Sequence, residues 1–197
     1  MYKSLVINLI GKPVEMGRKI VDSVISNYNQ QIDNDGTIWV ITKNYSYEGR
    51  FVFSSFIIAD NMKKFKLKNI ILVPDFDSNS EKSIFNNNTF EILFFSKNEN
   101  YYFDKDPIRE KHIWKDIEWC KRKKNYHSLG KDPGNVWLKT EDDGKGNITK
   151  HITVSFKESV ERILKSSSAE NDKCLLINIK EEVESFGREV EFKNVEA

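Results

Sequence analysis

Two short apolar runs rich in β-branched residues, at 5–10 and 37–42, flank a segment whose apolar positions recur every three or four residues. Runs of this length without polar alternation read as strands covered on both faces. Between them, Met16, Ile20, Val21, Val24, Ile25 and Tyr28 share one face of an amphipathic helix, and a polar turn at 33–36 returns the chain. Strand, helix, strand is the pattern of a parallel crossover, so the chain is constrained to an α/β sheet with helices on its faces.

Residues 51–65 carry Phe51, Ile58, Met62 and Phe65 on a common stripe and predict a second helix, followed by a third strand at 69–73 that Pro74 ends. Residues 74–88 are polar, anchored by Phe76, Ile84 and Phe85, and read as a long loop of the kind that tends to carry function. A fourth strand covers 90–96, with a short one beside it at 101–103. From 104 to 149 the periodicity fades and charge rises, which marks an inserted, loop-rich basic region within a single domain spanning 1–197. Thr153, Ser155 and Phe156 then open a helix with Phe156, Val160, Ile163 and Leu164 on one face, running to a turn at 166–168. A buried strand at 174–179, a short helical segment to Phe186 and a last strand at 189–195 complete the sheet.

The inserted region holds the stretch a packed core has least use for. Lys121, Arg122, Lys123 and Lys124 are consecutive cations, followed by Asn125, Tyr126 and His127, and then by Lys131, Asn135 and Trp137 among two glycines and a proline. Cations neutralise phosphates, amides read hydrogen-bonding edges and aromatic faces stack on unpaired bases, so these ten residues form a candidate DNA-binding surface. The alternative is a solvated charge run ahead of a tight turn.

Thirty-one Lys and Arg against 30 Asp and Glu leave a net charge of +1, so nucleic-acid affinity must come from local clustering rather than a global field. Cys120 and Cys174 lie far apart and read as reduced thiols of a cytoplasmic protein. His112, His127 and His151 share no ligand spacing with each other or with the cysteines, so no metal is expected. The opening run is too short for a signal peptide, and no run is long enough to span a membrane.

At this point particular residues resemble a family. Lys123 to Trp137, with Gly130-Lys131-Asp132-Pro133-Gly134-Asn135-Val136-Trp137 at its centre, is similar to the Gly-Lys-Asn-Pro-Gly-Asp-Val-Trp segment of DNA amino-methyltransferases that modify adenine N6 or cytosine N4. Asn69-Ile70-Ile71 resembles that family's Ile-Ile-Trp strand, and Glu91-Ile92-Leu93-Phe94-Phe95-Ser96-Lys97 its Glu-x-Ile-Leu-x-Phe-x-Lys strand. His151-Ile152-Thr153 and the helix after it look like its His-Pro-Thr segment. The order is that of the permuted subgroup, in which the catalytic strand precedes the cofactor strand. The resemblance implies a Rossmann-like methyltransferase fold, S-adenosylmethionine as methyl donor and a flipped-out base as acceptor.

Two stretches depart from it. Where the family carries an Asp-Pro-Pro-Tyr type motif, this chain has Asn8-Leu9-Ile10-Gly11-Lys12-Pro13, without carboxylate or aromatic. Where the family carries a glycine-rich Asp-Pro-Phe-x-Gly-Ser-Gly loop, Ile177-Asn178-Ile179 passes directly to Lys180-Glu181-Glu182 with no glycine before Gly187. The expectation is a methyltransferase-like protein without catalytic residues and without bound S-adenosylmethionine, serving as a DNA-binding module or as partner to an active methyltransferase or a second copy of itself. Thr153, Glu191 and Glu196 are the remnant cofactor positions, Thr153 also reading as a helix cap. The competing expectation is an active, divergent DNA amino-methyltransferase that retains the cofactor.

Overall fold

The computed structural model describes residues 1–75, 88–113 and 126–196. It opens with β1 (Tyr2–Asn8), α1 (Val14–Tyr28) and β2 (Ile32–Thr42). A small hairpin, β3 (Tyr45–Tyr47) and β4 (Arg50–Val52), leads to α2 (Ser54–Asn61), β5 (Lys66–Pro74) and β6 (Thr89–Ser96). A second hairpin, β7 (Leu138–Asp142) and β8 (Ile148–Thr153), precedes α3 (Phe156–Ser167), β9 (Lys173–Ile177) and β10 (Glu189–Lys193).

The central sheet has the order β10-β9-β1-β2-β6-β5. Neighbouring pairs run parallel from β10 to β2, while β6 runs antiparallel to both β2 and β5. Alternate residues of the unbroken apolar runs supply two cores. Leu5, Ile7, Ile38, Val40 and Ile177 face α1 and α2, whereas Val6, Trp39, Ile41, Cys174 and Leu176 face α3. Each fully buried aliphatic side chain contributes about 1.5–3 kcal/mol, and the strands contribute on both sides at once. Trp39 lies opposite Phe94 on the adjacent strand, and their rings stack at 4.0 Å.

The parallel strands, both crossing helices and the antiparallel strand at 90–96 stand where the sequence predicts them. Several local features differ. The helix predicted over 51–65 is shortened to α2, because Glu48 and Gly49 both take positive φ and close a two-residue hairpin turn between β3 and β4. Phe51 is consequently on the hairpin and 46% exposed rather than on a buried stripe. The polar residues at 33–36 extend β2 instead of forming a turn, with Asp33 and Asp35 held by Lys3 across the pair at 3.8 and 2.7 Å. On α1 the buried position is Gly17, packed against Leu9 and Ile58, and Met16 points outward. Residues 101–103 form no strand; Tyr101 and Phe103 set their rings against Phe94. The chain between β9 and β10 contains no helix, contrary to the segment predicted there. Among the described residues no helix is long and apolar enough to cross a membrane.

Candidate functional site

From β1 the chain steps to β2, β6 and β5 on one side, whereas β9 and β10 lie on the other. The order therefore reverses between β1 and β9, and a sheet of this kind presents its ligand crevice beyond the carboxyl ends of those two strands. A cavity of about 480 Å³ sits there, lined by Asn8, Gly11 and Lys12 from the first strand end and by Asn178, Lys180, Glu181 and Glu196 from the second. A neighbouring cavity of about 460 Å³ shares Asn8, Ile10 and Glu181 and adds Thr153, Phe156 and Phe90.

The polar groups at the crevice floor are spent on the protein itself. The Asn8 amide donates to the Asn178 carbonyl at 3.1 Å, and its Oδ1 accepts from Ile10 N at 3.0 Å. Asn178, in left-handed backbone at φ 57°, donates its amide to Val195 O (3.1 Å) and accepts from Val195 N (2.8 Å), while its own N–H bonds Lys193 O (2.8 Å). Two asparagines thus tie the ends of β1, β9 and the chain beyond β10 together. After Asn8 the backbone turns at once, Lys12 N bonding Leu9 O, with Gly11 at φ 77°, a conformation that disfavours any aromatic side chain there. Between β9 and β10 the chain crosses by an irregular loop that presents no helix N-terminus to the crevice, and Lys180 N is bound by the Glu181 carboxylate at 3.2 Å.

Among the remnant positions, Thr153 and Glu196 line these two cavities and Glu191 does not. Glu191 lies mid-strand, where the Tyr2 hydroxyl and Lys193 hold its carboxyl below the ordinary range, and burial with that same bond pushes the Tyr2 phenol up to about 12. Thr153 ends β8 and caps nothing. The cap of α3 is Ser155, whose Oγ accepts from Glu158 N at 3.1 Å.

Lys121, Arg122, Lys123, Lys124 and Asn125 lie outside the described residues, as does most of the predicted loop at 74–88. From Tyr126 onward the strip is visible and firmly held by its backbone. Lys131 exchanges hydrogen bonds with Glu110 at 2.7 and 2.9 Å, and Leu72 of β5 bonds Asn135 O and Trp137 N at 2.8 and 2.9 Å. Gly130 is obligatory, since at φ 121° a Cβ would sit 2.5 Å from the Glu110 carbonyl. Trp137 is a correction to the sequence reading: its indole is 2% exposed, in the α3-side core with Arg162 5.5 Å from its ring, and offers no face to a base. His127, Lys131 and Asn135 are exposed and Tyr126 is half-buried, set edge-on to His112 at 4.8 Å. Among the described residues no group of three or more His, Cys, Asp or Glu could hold a metal ion.

Two supports escape the sequence reading. Arg162 on α3 bridges Glu110 (3.0 Å) and Glu158 (3.2 Å) beneath Trp137, anchoring the strip to the body of the sheet. Glu91 is buried in β6, accepting from the Asn44 amide at 2.6 Å, and its burial pushes the carboxyl pKa up. A carboxylate inside the apolar run 90–96 is the signal for the second; nothing in the local pattern marks the first.

An open, mostly parallel doubly wound sheet with its crevice between these two strand ends is the Rossmann-like architecture of S-adenosylmethionine-dependent methyltransferases. The solved structures it is similar to agree. PvuII DNA methyltransferase, cytosine-N4-specific, superposes with a TM-score of 0.57 at 14% identity, over 88% of this chain and 66% of that one. A complex of M1.HpyAVI with SAM gives 0.52 at 14% identity, covering 100% and 83%. The putative DNA modification methylase TTHA0409 from Thermus thermophilus, complexed with S-adenosyl-L-methionine, gives 0.54 at 13% identity, covering 88% and 70%. The family model described as DNA methylase (N6_N4_Mtase) matches residues 18–175, and the chain belongs to that family. It spans about two thirds of the length of the PvuII enzyme, and no curated protein matches its sequence.

Proposed function

We propose that this DNA methyltransferase-family chain is a non-catalytic, cytoplasmic single-domain protein that holds DNA, or pairs with an active methyltransferase, through the strip at 121–137 and its surroundings. The observation that carries this reading is the occupied floor of the switch-point crevice. S-adenosylmethionine does not fit the residues present: the turn after β9 has side chains where the family has glycine, no helix follows β9 to turn its N-terminus toward the ligand, and Glu181 and Glu196 add negative charge beside its carboxylate. At the other strand end Asn8 Oδ1 is committed to Ile10 N, Gly11 stands where an aromatic would stack, and Lys12 brings a cation toward the methyl sulfonium. Of the remnant positions, Thr153 and Glu196 are the ones still facing this space.

Support for DNA contact comes from exposed His127, Lys131 and Asn135 on an anchored backbone, continuous in sequence with the cations Lys121 to Lys124. Mobility-shift titration with duplex DNA over several salt concentrations tests it: log affinity should fall linearly with log salt. No shift at low salt would remove direct DNA binding and leave the partner role. A second reading, an active divergent amino-methyltransferase, is favoured by the size of the crevice, which at about 480 Å³ is not closed. Calorimetry with S-adenosylmethionine separates the two, since micromolar binding would overturn the first.

A further inference from the structure

β10 is the outermost strand of the sheet, and among the described residues no strand pairs with its free edge. Its pairing with β9 uses the backbone of alternate residues. Glu189 N donates to Asp172 O, Lys193 O accepts from Asn178 N, and Val195 exchanges bonds with the Asn178 side chain. By the alternation of a strand, the N–H and C=O groups of Val190, Phe192 and Asn194 face away from the sheet. The register with β9 runs without a bulge and no proline interrupts the edge, so its protection rests on shortness and on the exposed charges of Glu189, Glu191 and Lys193, which a partner of complementary charge can satisfy. Phe192 leaves 48% of its surface exposed beside these open groups.

We propose that this edge binds a second copy of the chain, β10 pairing antiparallel with β10 across a twofold axis at Phe192, so that one continuous sheet runs through both copies. Hydrogen-bond parity allows the axis at any residue from Val190 to Asn194, and charge selects among them, since Glu191 or Lys193 on the axis would face its own copy as a like-charge pair. Val190 on the axis sets Glu189 opposite Glu191 of the other copy, a like-charge pair. Asn194 on the axis sets Phe192 opposite Glu196. With Phe192 on the axis, Val190 meets Asn194, the two Phe192 rings lie side by side, and Glu191 stands opposite Lys193 in both directions. Glu191 and Lys193 are already paired within the chain at 2.9 Å, so the twofold generates a ring of four alternating charges. The contact is short, which predicts a dissociation constant on the order of micromolar.

Sedimentation velocity of the full chain, from low micromolar to several hundred micromolar, should show a reversible monomer–dimer equilibrium. Phe192→Pro deletes an N–H that takes no part in pairing with β9 and should abolish the dimer. Because proline could unseat the strand, a charge test stands beside it. Glu191→Lys should weaken association about tenfold, two attractions becoming two repulsions, and Glu191→Lys with Lys193→Glu should restore it. A chain that stays monomeric throughout the range, or a dimer that Glu191→Lys leaves unchanged, would overturn the proposal. These outcomes are independent of whether the chain binds DNA or S-adenosylmethionine.

Discussion

The switch-point crevice and the strip from Tyr126 to Trp137 are the two places where the family resemblance puts function, and the fold treats them in opposite ways. In the crevice the side chains of Asn8 and Asn178 are consumed by backbone groups, and the charges that line it are those of Lys12, Lys180, Glu181 and Glu196. In the strip the backbone is consumed, bonded to Glu110 and Leu72, while His127, Lys131 and Asn135 turn their side chains outward. A surface that presents side chains from a fixed backbone is equipped to contact something; a crevice whose side chains bond its own strand ends is equipped to hold a sheet together. The scaffold therefore persists in both places, and the strip keeps Lys131 at the surface while His127 Nδ1 accepts from Leu129 N at 3.3 Å and the Asn135 amide donates to Ile70 O at 3.5 Å.

The largest effect expected from disturbing this contrast is at Trp137. Replacing it by Ala removes a 2%-exposed indole, uncovers Arg162 and should cost about 3–5 kcal/mol in denaturant unfolding. A loss under about 1 kcal/mol would mean that the strip is not tied into the core and that its exposed groups have no fixed platform. Next comes Asn178→Ala, which forfeits two side-chain hydrogen bonds to Val195 and puts Ala at φ 57°, for about 2–3 kcal/mol. S-adenosylmethionine at millimolar concentration should leave the melting temperature of both wild type and variant unmoved. A ligand-induced rise in the wild type alone would make Asn178 a ligand group and erase the contrast.

The parallel sheet, the crossover helices and the strip itself are legible because they rest on local patterns: unbroken apolar runs, a 3.6-residue repeat, and glycines at positions that need positive φ. The hairpin at Glu48-Gly49 escapes such a reading because the apolar residues on either side of it imitate a helical stripe. Trp137 reads as a surface residue because it closes a basic, turn-rich stretch, yet burial is decided by Leu72, Arg162 and Glu110, distant in sequence but near in space. The bond between Asn8 and Asn178 joins residues 170 positions apart, so no reading of either segment alone could find it. What is visible in the crevice is what the sequence lacks, namely the carboxylate, the aromatic and the glycines.

Glu91 offers a smaller test beside the crevice. Burial raises its pKa above the usual 4.5, so the folded state holds the proton more tightly than the unfolded chain. Stability contributed by the protonated form is complete below about 4.5 and is lost as pH rises through the folded value. Glu91→Gln, whose amide oxygen can still accept from Asn44, removes that dependence. The variant should gain on the wild type steadily as pH rises above the ordinary carboxylate range, measured by urea unfolding across pH. A wild type that instead gains on the variant would mean that the ionised carboxylate has a stabilising partner in the fold.

The smallest effect on stability, and the sharpest on function, belongs to Lys131. Its side chain is exposed while its backbone makes both bonds to Glu110, so Lys131→Gln should leave unfolding within about 0.5 kcal/mol of wild type. If the strip lies on a phosphate, the same substitution should lower the slope of log affinity against log salt by about one and weaken binding to all duplexes alike. A loss confined to some sequences would move Lys131 from phosphate to base edge. An unchanged slope would shift the contact to the cations at 121–124, which the paired substitution of Lys123 and Lys124 to Gln would then have to reveal.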